Sequence, residues 1–335
     1  MAKEMTSEMN KSQAILVTGA AGFIGSHTTE ALLARGHRVV GLDDLNPYYS
    51  PERKQWNLNA VHSTDQQGAF HFVRGDVRDR QLLERLFGEH GFDSVVHLAG
   101  MAGVRASIDA PHLYYDVNLT GTLNLLEAAR QVNLPNFVFA STSSVYGNST
   151  AQPFVEENAC DHPLAPYSAS KRAAELLGFT YHHLYGQNFT GLRFFTVYGP
   201  RGRPDMMAHK LLQSVLSGVE IPFYEGGNMK RDWTFVADIV SGVVAAAERP
   251  LGYELINLAR GEQVSLTEFV STIEALAGCR ANLKHLPKPA ADVFETNADI
   301  SKARRLLGYE PKTSVREGIE VLWRWYQGER TAGRG

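Results

Sequence analysis

The chain has 335 residues, 44% of them hydrophobic and 21% charged, with a formal net charge of −3 at pH 7. This is the balance of a soluble globular protein of one or two domains, and the bulk charge offers nothing to a nucleic-acid partner. Two cysteines, Cys160 and Cys279, are too few for a disulfide framework or a thiolate metal site, and no run approaches the ~18 apolar residues of a membrane span. Residues 1–12 are polar and mixed in charge. They lack the apolar stretch of a signal peptide, so a disordered tail and a cytoplasmic chain are expected.

The first structured element is the apolar run Ala14–Thr18, consistent with a buried strand. Gly19, Gly22 and Gly25 follow at once, with Phe23 and Ile24 between the last two, and a helical pattern runs on to about Arg35. Such a G-x-x-G-x-x-G loop allows a tight turn and lets a pyrophosphate approach backbone N–H groups at a helix N-terminus. A loop with no ligand would show the same triplet. A second strand, Arg38–Leu42, ends in Asp43, 18 residues after Gly25. An acidic residue there can bond an adenosine ribose 2′-hydroxyl and repel a 2′-phosphate, which favours NAD over NADP. Asp44 and Asn46 lie beside it.

The alternation continues. Phe70–Val73 reads as a strand leading to Asp76 and Val77, and Arg80–Glu89 as a helix. Asp76 is placed either to meet an adenine or to cap that helix. Ser94–Leu98 is a strand running into the small residues Ala99 and Gly100, Tyr114–Gln131 a long helix containing Asn118, and Asn136–Ala140 a fifth strand. Repeated strand–helix units predict an α/β fold, a doubly wound parallel sheet with right-handed crossovers and ligands at the strands' carboxyl ends. His97 reads as a core histidine rather than a base.

The fifth strand ends in the hydroxyl-rich stretch Ser141–Gly147, 25 residues before Tyr167 counted from Thr142. Tyr167 and Lys171 sit four apart in a helical segment, hence one turn apart on one face. A free phenol titrates near pH 10, and a neighbouring ammonium, helped by a cofactor cation, would favour the phenolate. The pair could then move a proton to or from a hydroxyl. Ordinary helix surface also produces this spacing, so its meaning depends on Thr142 and the glycine loop. Further on, helices are expected over Ala208–Ser217, Asp238–Ala247 and Leu266–Leu276, strands over Ile221–Tyr224 and Tyr253–Leu258, and a final helix to Tyr326.

Together, the glycine loop, the Ser141–Gly147 stretch and Tyr167-x-x-x-Lys171 resemble the extended short-chain dehydrogenase/reductase family, over roughly residues 13–327. The resemblance implies a Rossmann domain over 13–195, with some later segments returning to it, a smaller α/β substrate domain over 196–327 and a tail over 328–335. It also implies bound NAD at Gly19, Gly22, Phe23, Ile24, Gly25, Asp43, Asn46, Asp76, Val77, Leu98, Ala99, Gly100, Asn118, Tyr167 and Lys171. A homodimer through two helices per subunit is implied as well.

Relatives that are nucleotide-sugar 4,6-dehydratases carry Asp-Glu before their Val-Tyr-Gly, and UDP-glucuronate decarboxylases carry a Glu. Here these positions are Ser143 and Ser144. The segments Phe194–Met206 and Met229–Val236 look like those of UDP-glucuronate 4-epimerases. The likeness implies a UDP-sugar substrate, UDP-glucuronate or UDP-galacturonate, with Thr142, Tyr167 and Lys171 catalytic. Arg105, Thr142, Ser143, Ser144, Thr196, Arg203, Arg231 and Asp292 would bind the substrate, Arg203 offering a bidentate fork to the sugar carboxylate. Arg231 would meet the diphosphate, and Asp238 would orient its loop. The chain departs from the family at Met101, Ala237 and Pro289, with Lys288 a possible stand-in for the last. A 4-epimerase of neutral UDP-sugars, a decarboxylase, or a catalytically silent NAD-binding regulator would share much of this pattern.

Overall fold

A computed structural model describes residues 12–289 and 291–332. Except for Ser12, the tail expected over 1–12 lies outside the described residues. In chain order the first half comprises β1 (Ala14–Thr18), α1 (Phe23–Ala34), β2 (Arg38–Asp43), α2 (Pro51–Thr64), β3 (Phe70–Arg74), α3 (Arg80–His90), β4 (Ser94–His97) and the short α4 (Val104–Asp109) and α5 (Pro111–Tyr115). A π-helical turn, Asp116–Thr120, joins α5 to α6 (Gly121–Gln131), followed by β5 (Asn136–Thr142) and the long α7 (Pro166–Tyr185). Next come β6 (Phe189–Phe194), β7 (Thr196–Tyr198), α8 (Met207–Ser217), β8 (Ile221–Tyr224), β9 (Lys230–Phe235), α9 (Val236–Ala247), β10 (Tyr253–Leu258), β11 (Gln263–Ser265), α10 (Leu266–Ala277), β12 (Leu283–Leu286), α11 (Ser301–Leu307) and α12 (Val315–Thr331).

Seven strands form one sheet in the order β10-β6-β5-β4-β1-β2-β3, every pairing parallel. Strand order reverses between β1 and β4, opening a crevice at their carboxyl ends. Alternation along β1 sends Leu16 to one face and Ile15 and Val17 to the other, so both faces are covered. One apolar layer gathers Leu16, Val40, Val95, Phe137, Phe139 and Leu125 under α3, α6 and α7. The other runs from Ile15 and Val17 through α9 and on to Trp233, Phe269 and Leu322. Fully burying side chains of this kind is worth about 1.5–3 kcal/mol each.

The substrate-side half adds a three-stranded sheet, β11-β9-β7, and a two-stranded one, β12-β8. β10 and α9 return to the large sheet, β10 pairing with β6 and α9 packing on α1. Nine elements lie beyond the expected ones, among them the short helices α4, α5 and α11 and the three-residue β7. The helix α2 buries only Lys54, Asn57, Leu58 and Val61 of its 14 residues, too narrow an apolar stripe to show in sequence. The strands β6, β9, β11 and β12 are also unexpected; β6 carries Arg193 amid apolar residues, and the short β11 and β12 have no fully buried side chain. The last helix continues to Thr331, past the expected end at Tyr326 and into the expected tail. Among the described residues no helix is long and apolar enough to cross a membrane.

Candidate active site

The crevice above β1 and β4 is a cleft of about 430 Å³ that runs from the glycine loop to Tyr167 and Arg203. At its floor Gly19 has φ +73°, and a Cβ there would press into the backbone of Leu98 and Ala99. A Cβ on Gly25 would strike the Gly19 carbonyl. These two positions therefore admit only glycine. Gly22 begins α1 with no side-chain cap, so the first N–H groups of a 12-residue helix face the cleft. Phe23, Ile24, Asn46, Asp76, Val77, Leu98, Ala99 and Gly100 line the same cleft.

Asp43 ends β2 at the cleft wall. One carboxylate oxygen accepts from Ala21 N at 3.1 Å and the other from Leu45 N at 2.8 Å. Lys54 Nζ of α2 lies 3.5 Å away. Burial pushes the Asp43 carboxyl up, opposed by the Lys54 charge. Sequence reasoning missed Lys54 because α2 itself was not expected. A side-chain-free cradle at a helix N-terminus, with a carboxylate at the end of the second strand, fits an adenine dinucleotide. Asp76 lines the cleft and also pairs with Arg78 at 2.6 Å; the helix cap of α3 is Asp79, whose side chain accepts from Leu82 N.

Asn118 sits behind the cleft, fully buried in the π-helical turn. Its side chain accepts from Met101 N at 2.8 Å and donates to Met101 O and to Ser170 Oγ. It therefore positions the β4 loop and α7 rather than lining the cofactor cradle. His97 is fully buried between Thr18 Oγ1 at 2.7 Å and Thr122 Oγ1 at 3.0 Å. Burial holds it well below the usual histidine range, as a core histidine.

At the other end β5 delivers Thr142, whose Oγ1 accepts from Ser144 N at 3.2 Å and starts the turn Ser143–Tyr146. The helix α7 presents Tyr167 and Lys171 to the same cleft. Burial raises the Tyr167 phenol, while the Thr142 hydroxyl and the Arg203 charge pull it down. Lys171 Nζ donates to Ala140 O at 2.9 Å and lies over the Phe139 ring, and burial lowers its ammonium to about 8. The charge of Arg203 therefore joins that expected of Lys171 in favouring the phenolate.

The register of β5 against α7 rests on an ion pair that the sequence did not reveal. Glu175, one turn beyond Lys171, receives Arg193 Nε at 2.9 Å and Nη2 at 3.0 Å, both side chains being essentially inaccessible. Ser141 Oγ donates to the same carboxylate at 2.6 Å, and Arg193 Nη1 donates to Tyr146 OH at 2.9 Å. An arginine in the otherwise apolar Phe189–Phe194 was the available signal.

Ser143, Ser144 and Thr196 border both the main cleft and an adjoining cavity of about 120 Å³ that also holds Arg231 and Asp292. Arg231 is tied to the carbonyls of Lys230, Val293 and Phe294. Arg105, on α4, pairs with Asp292 at 2.6 Å and lies over the Tyr224 ring, 4.6 Å from its centroid. It therefore bridges the two halves at the mouth and lines neither cavity. Two expectations need correction. Asp238 does not orient the Arg231 loop; it accepts from Lys312 N and Thr313 N ahead of α12. Asp232 does that organising, accepting from the backbone of Arg260, Gly261 and Ala298. Lys288 spends its ammonium on the carbonyls of Asp292 and Pro289 rather than on the cavity.

Comparison with known proteins agrees with this geometry. The family model described as GDP-mannose 4,6 dehydratase matches residues 16–322. The chain is 43% identical to a UDP-glucuronate 4-epimerase of Thermodesulfobacterium geofontis, covering 92% of this chain and 95% of that one. It is 41% identical to UDP-glucuronate 4-epimerase 3 of Arabidopsis thaliana, with coverages of 96% and 78%. Among solved structures, the UDP-glucuronic acid 4-epimerase of Bacillus cereus in complex with UDP-glucuronic acid and NAD superimposes with a TM-score of 0.88 at 36% identity, covering 94% of this chain and 99% of that one. The UDP-glucose 4-epimerase of Thermotoga maritima with UDP-glucose gives 0.86 at 29% identity, with coverages of 95% and 99%. The chain belongs to the GDP-mannose 4,6-dehydratase family, within the extended short-chain dehydrogenases/reductases.

Proposed function

We propose that the chain is a UDP-glucuronate 4-epimerase that interconverts UDP-glucuronate and UDP-galacturonate with tightly bound NAD. The observation that carries this reading is the placement of Arg203 in one cleft with Tyr167, Thr142, Thr196, Ser143 and Ser144. The dinucleotide would lie on Gly19, Gly22 and Gly25, with its ribose at Asp43. When bound, NAD would supply the reversible hydride transfer at C4 of the sugar that the exchange of configuration needs. Tyr167, as phenolate, removes the proton from the C4 hydroxyl and later restores it. Thr142 bonds the same sugar oxygen and can pass that proton on. The phenol is held up by burial, and the charges of Lys171 and Arg203, with a nicotinamide cation when one is bound, would bring it within range. Lys171, pinned beside the cradle through Ala140 O, anchors the cofactor's ribose end. Arg231 and Arg105 meet the UDP portion with Asp292.

The oxidised sugar is a β-keto acid, which loses carbon dioxide when its C5–carboxylate bond stands perpendicular to the ketone plane. Arg203 gripping the carboxylate, with hydroxyls of Thr196, Ser143 and Ser144, would hold that bond away from the reactive angle. No carboxyl side chain stands at positions 143 and 144 to serve as acid or base for elimination.

The reading includes the domain division near residue 195, a cytoplasmic location and a homodimer. Leu176, Phe179, Leu184 and Tyr185 stand about half exposed on α7, a face that a second copy would cover. Light scattering should return about twice the mass of one chain, and a monomer mass would remove the dimer. Arg203→Ala tests the sugar. It should cut kcat/KM for UDP-glucuronate by about 100-fold or more and leave UDP-glucose binding nearly unchanged. An equal loss for both sugars points to a neutral-sugar enzyme.

A further inference from the structure

Arg203 is not a free fork. Its Nε donates to one Asp205 oxygen at 2.9 Å and its Nη2 to the other at 2.9 Å. Tyr48, on the loop after β2, donates its hydroxyl to the same carboxylate at 3.3 Å, and the guanidinium stands 5.8 Å from its ring centroid. A guanidinium has five N–H donors in one plane. With Nε and one Nη2 hydrogen taken, the Nη1/Nη2 edge remains as the second fork of that plane. Asp205 and Tyr48 therefore fix the plane from one edge and leave the other to the cleft that Arg203 lines.

The geometry points to Asp205, steadied by Tyr48, as a positioning residue that sets the Arg203 plane and so decides whether the oxidised uronate is epimerised or decarboxylated. This rests on the epimerase reading above. In the leak reaction the C5–carboxylate bond breaks, its electron pair passes into the enolate of the 4-ketone, C5 takes a proton from water and carbon dioxide leaves; the resulting UDP-4-keto-pentose becomes UDP-pentose when the hydride first taken from C4 is returned. An Arg203 free to swivel would let the carboxylate rotate into the reactive angle. The Arg203–Asp205 pair is partly exposed, Asp205 at 38%. Such pairs contribute little to stability, so removing the carboxylate should leave the fold intact.

The test uses Asp205→Ala, Asp205→Asn and Tyr48→Phe in the NAD-loaded protein, with two readouts. Calorimetry compares the Kd of UDP-glucuronate with that of UDP-glucose, and product analysis gives UDP-pentose formed per epimerisation. For Asp205→Ala the expectation is about tenfold weaker UDP-glucuronate binding, less than twofold change for UDP-glucose, and at least a tenfold rise in the pentose fraction. Asp205→Asn and Tyr48→Phe should fall between it and the parent. If the parent converts UDP-glucuronate but Asp205→Ala leaves both the sugar discrimination and the pentose fraction unchanged, the positioning role is overturned. Equal weakening for both sugars overturns it too, as general damage to the loop. A parent that fails to convert UDP-glucuronate strikes instead at the underlying function.

Discussion

Lys171 shows how a buried charge is tolerated for the sake of chemistry. The residue is 5% exposed, and burial lowers its pKa to about 8 from an ordinary 10.5. A folded-state lysine pKa below the unfolded value means that the native state releases its proton first. The cost of burying the charge is therefore fully present below pH 8 and fades as the pH climbs from 8 towards 10.5. In protein stripped of cofactor, Lys171→Met should thus be more stable than the parent at pH 7, by roughly 1–3 kcal/mol. The gap should narrow by pH 10, as urea denaturation at the two pH values would show; a constant gap would contradict the assignment. Tyr167 was legible in sequence through its spacing to Lys171, but the charge that Arg203 adds was not. Arg203 lies 36 residues further along the chain, and only the fold brings it to the phenol.

At the scale of elements, α7 carries the chemistry and β5 carries its hydroxyls, so their register must not slip. The Glu175–Arg193 pair with Ser141 holds it. Glu175→Gln leaves a buried guanidinium without its counter-charge and should cost about 3–5 kcal/mol. Urea unfolding would measure it, and a loss under 1 kcal/mol would mean that the pair is dispensable. Strongly periodic or continuously apolar elements, such as β1, β2, β8 and β10, could be placed from sequence to within a residue or so. The misses share a physical cause. The helix α2 is polar on nearly all sides, and β11 and β12 make few buried contacts, so periodicity carried no signal for them.

At the scale of the molecule, one apolar layer runs unbroken from β1 through α9 into the half that holds Trp233 and Phe269. That continuity fixes the substrate-side loop carrying Arg203 against the loop after β2, where Tyr48 meets Asp205. The parallel sheet followed from strand–helix alternation, whereas its switch point between β1 and β4 came from the fold. The site's two ends were each legible as local motifs, whereas contacts between distant loops, such as Arg105 with Asp292, came from sequence only as separate residues. Family resemblance named the residues, and tertiary packing shows which touch. Asp238 and Lys288 are where the two part company, because a motif position records identity and not the direction of a side chain.

The central claim is that hydride leaves and returns at C4 of a uronate held by Arg203. The most direct measurement is to incubate the purified protein with UDP-glucuronate, adding no cofactor, and to resolve the nucleotide sugars over time, with Tyr167→Phe as the blank. The account predicts UDP-galacturonate accumulating to a steady ratio, little UDP-pentose and no turnover by the blank. UDP-pentose as the main product, no conversion by the parent, or undiminished conversion by Tyr167→Phe would contradict it.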